Sequence, residues 1–231
     1  MGLKLLSIFI KGGAGHLEAK YFHNPEADSI ALIMSPHPLH GGTMNNKVVY
    51  NLFHTFRENG MSVLRFNYRG VGKSHGKLFD GGECLDASMA LDWLQGKNPQ
   101  AQTIWVAGFS FGAYIAMQIA MRRPEVTHFV SVAPVAQAYD FSFFQPPIPG
   151  LIIHGTDDTI APEPHVHSLY ESLKRNGKIQ YEIIEGADHF FTKHQDELSS
   201  VLQHYIDSSD IAPSNKKVIN SKRRRRPMMG T

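Results

Sequence analysis

The sequence predicts an α/β protein with a mostly parallel, twisted sheet and helices on both of its faces. From residue 29 onward, short apolar runs alternate with longer amphipathic stretches, and Gly and Pro lie at the junctions between them. Several of these runs are apolar throughout, which is typical of strands buried on both faces. Strand-helix alternation of this kind builds a parallel sheet that is covered by helices.

The elements follow from the periodicity of the apolar positions. Segments 5–11 and 16–23, joined by G-G-A-G, predict an antiparallel hairpin at the edge of the sheet. Parallel strands are predicted at 29–35, 62–66, 103–109, 128–133, 151–154 and 180–184. Helices are predicted at 45–59, 84–94, 111–122, 163–175 and 197–206, several of them ended by Gly or Pro. Residues 134–150 leave room for a loop but not for a large lid.

Composition and charge divide the chain into a folded body and a tail. With 231 residues, 42% hydrophobic and 19% charged, the chain is typical of one globular domain, which we place at 1–207. Residues 208–231 hold seven basic residues against one acidic residue, a net charge of +6, which leaves −4 on the body. A body of this charge offers no broad basic face for nucleic acid. The tail is predicted to be disordered, and it is the one segment that could bind nucleic acid or an anionic surface.

The expected location is the cytoplasm. Cys84 is the only cysteine, so no disulfide can form within the chain, and a reducing compartment is favoured. The apolar run at 5–10 is too short to span a membrane, and it continues into glycines rather than into a cleavage site.

The strongest functional motif is G-F-S-F-G, residues 108–112. It matches G-x-S-x-G, and it lies directly after a predicted buried strand and directly before a predicted helix. A sharp turn there would lift Ser110 above the sheet, and glycine on either side would relieve the crowding. Ser110 is therefore the candidate nucleophile, and the N–H of Phe111, at the start of the helix, is a candidate oxyanion donor.

A serine nucleophile needs a base, and the base needs an acid to orient it. After such an elbow the order along the chain is serine, acid and then histidine. The strand at 151–154 runs into G-T-D-D-T-I-A-P, and the strand at 180–184 runs into E-G-A-D-H-F-F. We predict Asp158 as the acid and His189 as the base. Asp157 is the competing acid, and Asp188 is expected to cap its own loop.

The loop after the first parallel strand, S-P-H-P-L-H-G-G-T-M-N-N-K, is expected to supply a second oxyanion N–H. Pro36 and Pro38 have no N–H, so we assign this donor to Leu39 or a near neighbour. The histidines of this loop have no carboxylate or cysteine beside them at ligand spacing, so neither a metal nor another cofactor is expected. The R-G-V-G-K-S block, residues 69–74, lacks the spacing of a phosphate loop, and Arg69 is expected to pair with a carboxylate and brace the crevice.

These blocks together, G-G-T-M-N-N-K, R-G-V-G-K-S and G-F-S-F-G-A, resemble a bacterial family of small, mostly uncharacterised α/β hydrolases. More distantly the chain is similar to dienelactone-hydrolase-like proteins, from which it departs in having serine rather than cysteine at the elbow. The resemblance covers about residues 5–206. It implies a Ser110–Asp158–His189 triad, with Leu39 and Phe111 as the oxyanion pair.

The implied function is that of a serine hydrolase, carboxylesterase-like, acting on small or short-chain ester substrates through an acyl-enzyme. Two alternatives stay open at this point. The same triad serves peptidases and acyltransferases, because fold and triad fix neither the acyl group nor its acceptor. A non-catalytic protein that binds its partner through the basic tail is the other. The aromatic residues Tyr139, Phe141, Phe143 and Phe144 either form an apolar wall beside the site or pack under their own loop.

Overall fold

The computed structural model describes residues 3–145, 147–175 and 178–209. Nearly all of the predicted tail at 208–231 lies outside these ranges. The strands are β1 (Lys4–Gly12), β2 (Gly15–His23), β3 (Ser29–Met34), β4 (Ser62–Phe66), β5 (Thr103–Phe109), β6 (His128–Val132), β7 (Gly150–Gly155) and β8 (Ile179–Ile184). The helices are α1 (Lys47–Glu58), α2 (Glu83–Lys97), α3 (Phe111–Arg122), α4 (Glu163–Leu173) and α5 (Gln195–Ser208), with a 3₁₀ turn at Pro38–His40.

Within the described ranges the strands form a single sheet in the order β1-β2-β4-β3-β5-β6-β7-β8. The first two strands form an antiparallel hairpin, and β2 also pairs antiparallel with β4. All the remaining neighbours are parallel. The predicted fold class and its edge hairpin are confirmed, and every predicted element is present with ends that differ by at most a few residues.

Helices cover both faces of the sheet, and each face has its own hydrophobic core. One core joins the sheet to α1 and α5, and the other joins it to α2, α3 and α4. Helix α1 begins where the Asn46 side chain accepts a hydrogen bond from the Val48 N–H at 2.9 Å. Its apolar positions recur at helical spacing, so one stripe is buried, and Phe56 packs against Trp105 of β5. The described helices include none that is long and apolar enough to cross a lipid bilayer.

The parallel strands place four functional loops at one edge of the sheet. The carboxyl ends of β3, β5, β7 and β8 lead into the loops that hold His37, Ser110, Asp158 and His189. Between β6 and β7, the described residues of 133–149 form turns and bends without a helix or strand. The expectation that this position carries no large lid is confirmed for these residues.

Candidate active site

Ser110 occupies a sharp turn between β5 and α3. Its backbone has φ 58° and ψ −117°, a region that residues other than glycine seldom adopt. Such strain persists only where the surroundings fix it, and here the Ser110 N–H donates to the carbonyl of Val132 at 2.8 Å. The serine is 7% exposed, so its hydroxyl is held in one place at the edge of the sheet.

The two glycines of the G-x-S-x-G motif are required by close backbone contacts. A Cβ on Gly108 would overlap the carbonyl of Gly112, and a Cβ on Gly112 would overlap the carbonyl oxygen of Met34. These atoms are backbone and cannot rotate away. The turn that presents Ser110 therefore depends on glycine at both positions.

The structure brings Ser110, His189 and Asp158 into one hydrogen-bonded chain. Nε2 of His189 lies 3.0 Å from Oγ of Ser110, and Nδ1 of the same ring lies 2.7 Å from Oδ2 of Asp158. A carboxylate can only accept, so Nδ1 carries the proton and Nε2 is left to accept one from the serine hydroxyl. All three side chains are buried. A nucleophile, a base and an orienting acid would require contacts in this order.

The surroundings of the nearby carboxylates distinguish Asp158 from Asp157 and Asp188. Oδ1 of Asp158 accepts from the N–H groups of Ile160 at 2.9 Å and Ala161 at 2.7 Å, which leaves Oδ2 for His189. Asp157 is exposed and accepts from the neighbouring Thr156 hydroxyl instead. Asp188 accepts from the Thr192 N–H at 2.8 Å, which is the local capping contact expected for it.

The N–H groups of the two expected oxyanion donors differ in whether they are already hydrogen-bonded. The Phe111 N–H is at the first position of α3 and has no acceptor among the described residues. The Leu39 N–H, by contrast, donates to Nδ1 of His37 at 3.1 Å, so it is already engaged. Leu39 remains a predicted oxyanion donor, and its N–H is free for that role only when its hydrogen bond to His37 breaks.

His37, a near neighbour of Leu39, is a second candidate for this donor. It lies between two prolines and therefore has the one N–H in Pro36–Pro38. In the part of the chain that the structure describes, this N–H has no acceptor, and the His37 ring lies 5.2 Å from that of Phe111.

His154 is a further buried group beside the acid. It is the penultimate residue of β7, its side chain has no exposed surface, and its Nδ1 lies 4.0 Å from Oδ2 of Asp158. Among the described residues neither of its ring nitrogens makes a hydrogen bond. Removal from water lowers the pKa of His154. A buried histidine has no signature in a single sequence, so this neighbour could not be predicted.

The sequence left two roles open for the aromatic residues after β6, an apolar wall beside the site or packing under their own loop. Phe141 and Phe144 are buried and belong to the hydrophobic core. Tyr139 is half-buried and stacks on Tyr114, with ring centroids 4.8 Å apart, whereas Phe143 stays exposed beside Tyr114. Phe141 and Phe144 therefore pack under the loop, Tyr139 packs against the edge of the core, and Phe143 faces outward.

Comparison with known proteins agrees with this geometry. A family model described as the alpha/beta hydrolase fold matches residues 39–150. An uncharacterised protein of Rickettsia prowazekii is 48% identical over 209 residues, which cover 86% of this chain and 87% of the relative. A protein of unknown function from Agrobacterium tumefaciens, classed with the α/β hydrolases, is 44% identical with a TM-score of 0.85, over 91% of this chain and all of the other. The chain belongs to the α/β-hydrolase family.

A second solved relative also has no lid. It is a serine hydrolase without a lid from Xanthomonas campestris, 33% identical with a TM-score of 0.81, and the match covers 88% of this chain and 94% of the relative. Fold and relatives together support a hydrolase, which implies a small-molecule substrate.

Proposed function

We propose that this α/β hydrolase is a serine esterase that cleaves small or short-chain acyl esters through an acyl-enzyme. The observation that carries the proposal is the unbroken chain of hydrogen bonds from Oγ of Ser110 through the His189 ring to Asp158. Each atom in that chain has the donor or acceptor character that nucleophilic catalysis requires.

In the first half-reaction, Oγ of Ser110 attacks the ester carbonyl carbon while Nε2 of His189 accepts its proton. The Phe111 N–H and a second N–H, from Leu39 or His37, stabilise the negative charge on the carbonyl oxygen. The tetrahedral intermediate then collapses, the bond to the leaving alcohol breaks, and the imidazolium returns the proton to that alcohol. The acyl group remains on Ser110.

In the second half-reaction, water repeats the sequence against the acyl-enzyme. His189 takes a proton from the water, hydroxide adds to the acyl carbon, and Ser110 leaves with the proton that His189 returns. Asp158 keeps the same tautomer of His189 throughout and stabilises the imidazolium. Its own position is fixed because its other oxygen accepts two backbone N–H groups.

The loop between β6 and β7 supports small substrates. Its described residues include no helix that could close over the acyl chain, so a long chain would stay in water and gain little from binding. Lengthening the acyl chain beyond a few carbons should therefore not raise kcat/KM.

The test is steady-state hydrolysis of p-nitrophenyl esters of two to twelve carbons, alongside aminoacyl p-nitroanilides. We expect the highest kcat/KM with the short esters and its loss in Ser110→Ala. The control is Ser131→Ala, which removes a buried hydroxyl on β6 that has no hydrogen bond in the described structure. Preference for the anilides would favour a peptidase, and acyl transfer to an added amine or alcohol faster than to water would favour an acyltransferase. Unchanged activity in Ser110→Ala would contradict the proposal.

A further inference from the structure

Phe79 lies in the loop between β4 and α2, far along the chain from the nucleophile, yet its ring is close to the site. Its centroid is 4.2 Å from the His37 ring and 5.6 Å from the ring of Phe111, the residue after Ser110. The Phe79 backbone has φ 50°, in the left-handed region that is costly for a bulky residue. The loop therefore holds this ring in place against a local conformational preference.

The loop is fixed on both sides of Phe79, on one side by the clamp, which is the set of ion pairs of Arg69 with Asp80 and Asp86. The Arg69 guanidinium contacts Oδ1 of Asp80 at 3.0 Å and Oδ1 of Asp86 at 2.8 Å, and it is largely buried. Asp80 follows Phe79 directly. On the other side, Leu78 sits so close to Gly70 that a Cβ there would overlap the Leu78 backbone nitrogen. The sequence predicted a carboxylate partner for Arg69, and the structure has two, Asp80 and Asp86. The ion pair with Asp80 helps to fix the position of Phe79.

The ring of Phe79 belongs to a continuous row of rings that includes Phe111, the residue after Ser110. We name as the aromatic wall His37, Phe79, Phe111, Tyr114, Tyr139 and Phe143. Along the wall, successive centroids lie 4.2, 5.2, 5.5, 4.8 and 5.9 Å apart, in the order Phe79, His37, Phe111, Tyr139, Tyr114 and Phe143.

The wall is incompletely buried, which is unusual for so many rings in contact. Phe79 and Phe143, at its two ends, are each 37% exposed. Between them His37, Tyr114 and Tyr139 are half-buried and Phe111 is buried. Partly exposed rings next to the loop of a candidate nucleophile can bind a ligand. Faces and edges of rings favour another ring over an aliphatic group of equal size, because the ring quadrupoles attract each other.

We infer that the aromatic wall binds an aromatic ring carried by the ester substrate, with Phe79 as a specificity-determining residue. The inference rests on the proposed esterase function and adds the class of substrate, an ester with an aryl group next to its short acyl or alcohol part. The ring-ring contact should favour an aryl ester by about 2- to 10-fold over its saturated counterpart.

The test compares esters matched in size, with each kcat/KM divided by the rate constant for hydrolysis of the same ester by hydroxide. One pair is ethyl phenylacetate and ethyl cyclohexylacetate, with the ring on the acyl side, and the other is benzyl acetate and cyclohexylmethyl acetate, with the ring on the alcohol side. We expect a higher kcat/KM for the aryl member of at least one pair. Phe79→Leu, which keeps apolar volume and removes the ring, should bring that ratio towards one.

The matched control is Phe9→Leu, which removes an exposed phenylalanine from β1 and should leave both ratios unchanged. Asp80→Asn tests the clamp, and it should lower the aryl preference without abolishing ethyl acetate turnover. An aryl preference that is absent in the native chain, or that Phe79→Leu leaves intact, would overturn the inference.

A binding measurement separates failure of this inference from failure of the esterase function. Calorimetry with Ser110→Ala compares phenylacetate with cyclohexylacetate, which needs no turnover. If no ester is hydrolysed the esterase function fails, and the inference fails as well unless phenylacetate binds more tightly and Phe79→Leu removes the difference.

Discussion

Nδ1 of His154 lies 4.0 Å from Oδ2 of Asp158, the same oxygen that accepts the hydrogen bond from His189. The His154 ring is fully buried at the end of β7. A charge on this ring would lie among Asp158, His189 and Glu163, and it would also have to leave water. Burial is the largest effect, and it lowers the pKa of His154, which favours the neutral ring.

This burial predicts a dependence of stability on pH. Because the folded-state pKa of His154 is lower than the unfolded value of about 6.5, the unfolded chain binds more protons as the pH falls through that value. The contribution of this group is therefore complete above about pH 6.5 and is lost towards lower pH. His154→Gln should show a shallower fall in the free energy of unfolding between pH 8 and pH 5 than the native chain.

Urea unfolding at several pH values measures this difference, with the exposed His204→Gln as control. His37 and His54, whose pKa values are also lowered by burial, remain in every variant and cancel in the comparison. Parallel pH curves for His154→Gln and the native chain would show that His154 is not the titrating group.

The choice between adjacent aspartates gives a kinetic prediction. Asp158→Asn leaves the shape of the side chain unchanged but favours the wrong tautomer of His189, and in a serine triad that change lowers kcat by about 10⁴-fold. Asp157→Asn, one residue away and exposed, should leave kcat close to the native value. Ester hydrolysis by both variants decides the matter, and a larger loss from Asp157→Asn would assign the acid to that residue.

The buried clamp on Arg69 predicts a large loss of stability when one partner is removed. The Asp86 side chain is fully buried and accepts from the Arg69 guanidinium and from its backbone N–H. Asp86→Ala leaves the buried Arg69 guanidinium with Asp80 as its one remaining carboxylate partner among the described residues, and should lower the free energy of unfolding by up to about 3 kcal/mol. Asp92→Ala removes an ion pair with Arg123 whose carboxylate is 61% exposed, and should cost at most about 1 kcal/mol. Similar losses in the two variants, measured by urea unfolding, would argue against this account of the clamp.

A glycine-to-alanine substitution is predicted to have opposite effects at Gly112, in the elbow, and at Gly96, in α2. Gly112→Ala places a methyl group against the carbonyl oxygens of Met34 and Ser35, and should cost about 1–3 kcal/mol with loss of activity. Gly96→Ala, in α2, meets open space and should instead stabilise the chain by up to about 1 kcal/mol. Thermal unfolding and ester hydrolysis measure both, and a tolerated Gly112→Ala would mean that the elbow can move.

Much of this fold follows from local patterns. Strands such as Ser29–Met34 are apolar at almost every position because both faces are covered, and α1 shows a clear apolar stripe that ends near Gly60. The proximity of Ser110, Asp158 and His189 could be predicted because parallel strands bring their carboxyl ends to one edge. The catalytic roles of these residues stay predictions until they are tested by substitution.

Other parts of the site depend on contacts between distant segments and have no local pattern. His37 and Phe79 are 42 positions apart in the sequence, and their rings meet because Arg69 anchors one loop while the other follows β3. Likewise, the contact that engages the Leu39 N–H depends on the rotamer of the His37 ring. Side-chain geometry of this kind is set by tertiary packing, which residue spacing does not encode.

The most direct test of the central claim is labelling with a fluorophosphonate probe, followed by peptide mass spectrometry. The reagent phosphonylates a serine only when a neighbouring base activates it, and it requires no knowledge of the natural substrate. We predict stoichiometric modification of Ser110 in the native chain, none in Ser110→Ala, and strongly slowed labelling in Asp158→Asn. Equal labelling of the native chain and Ser110→Ala, or no labelling of either, would contradict the assignment of Ser110 as the nucleophile.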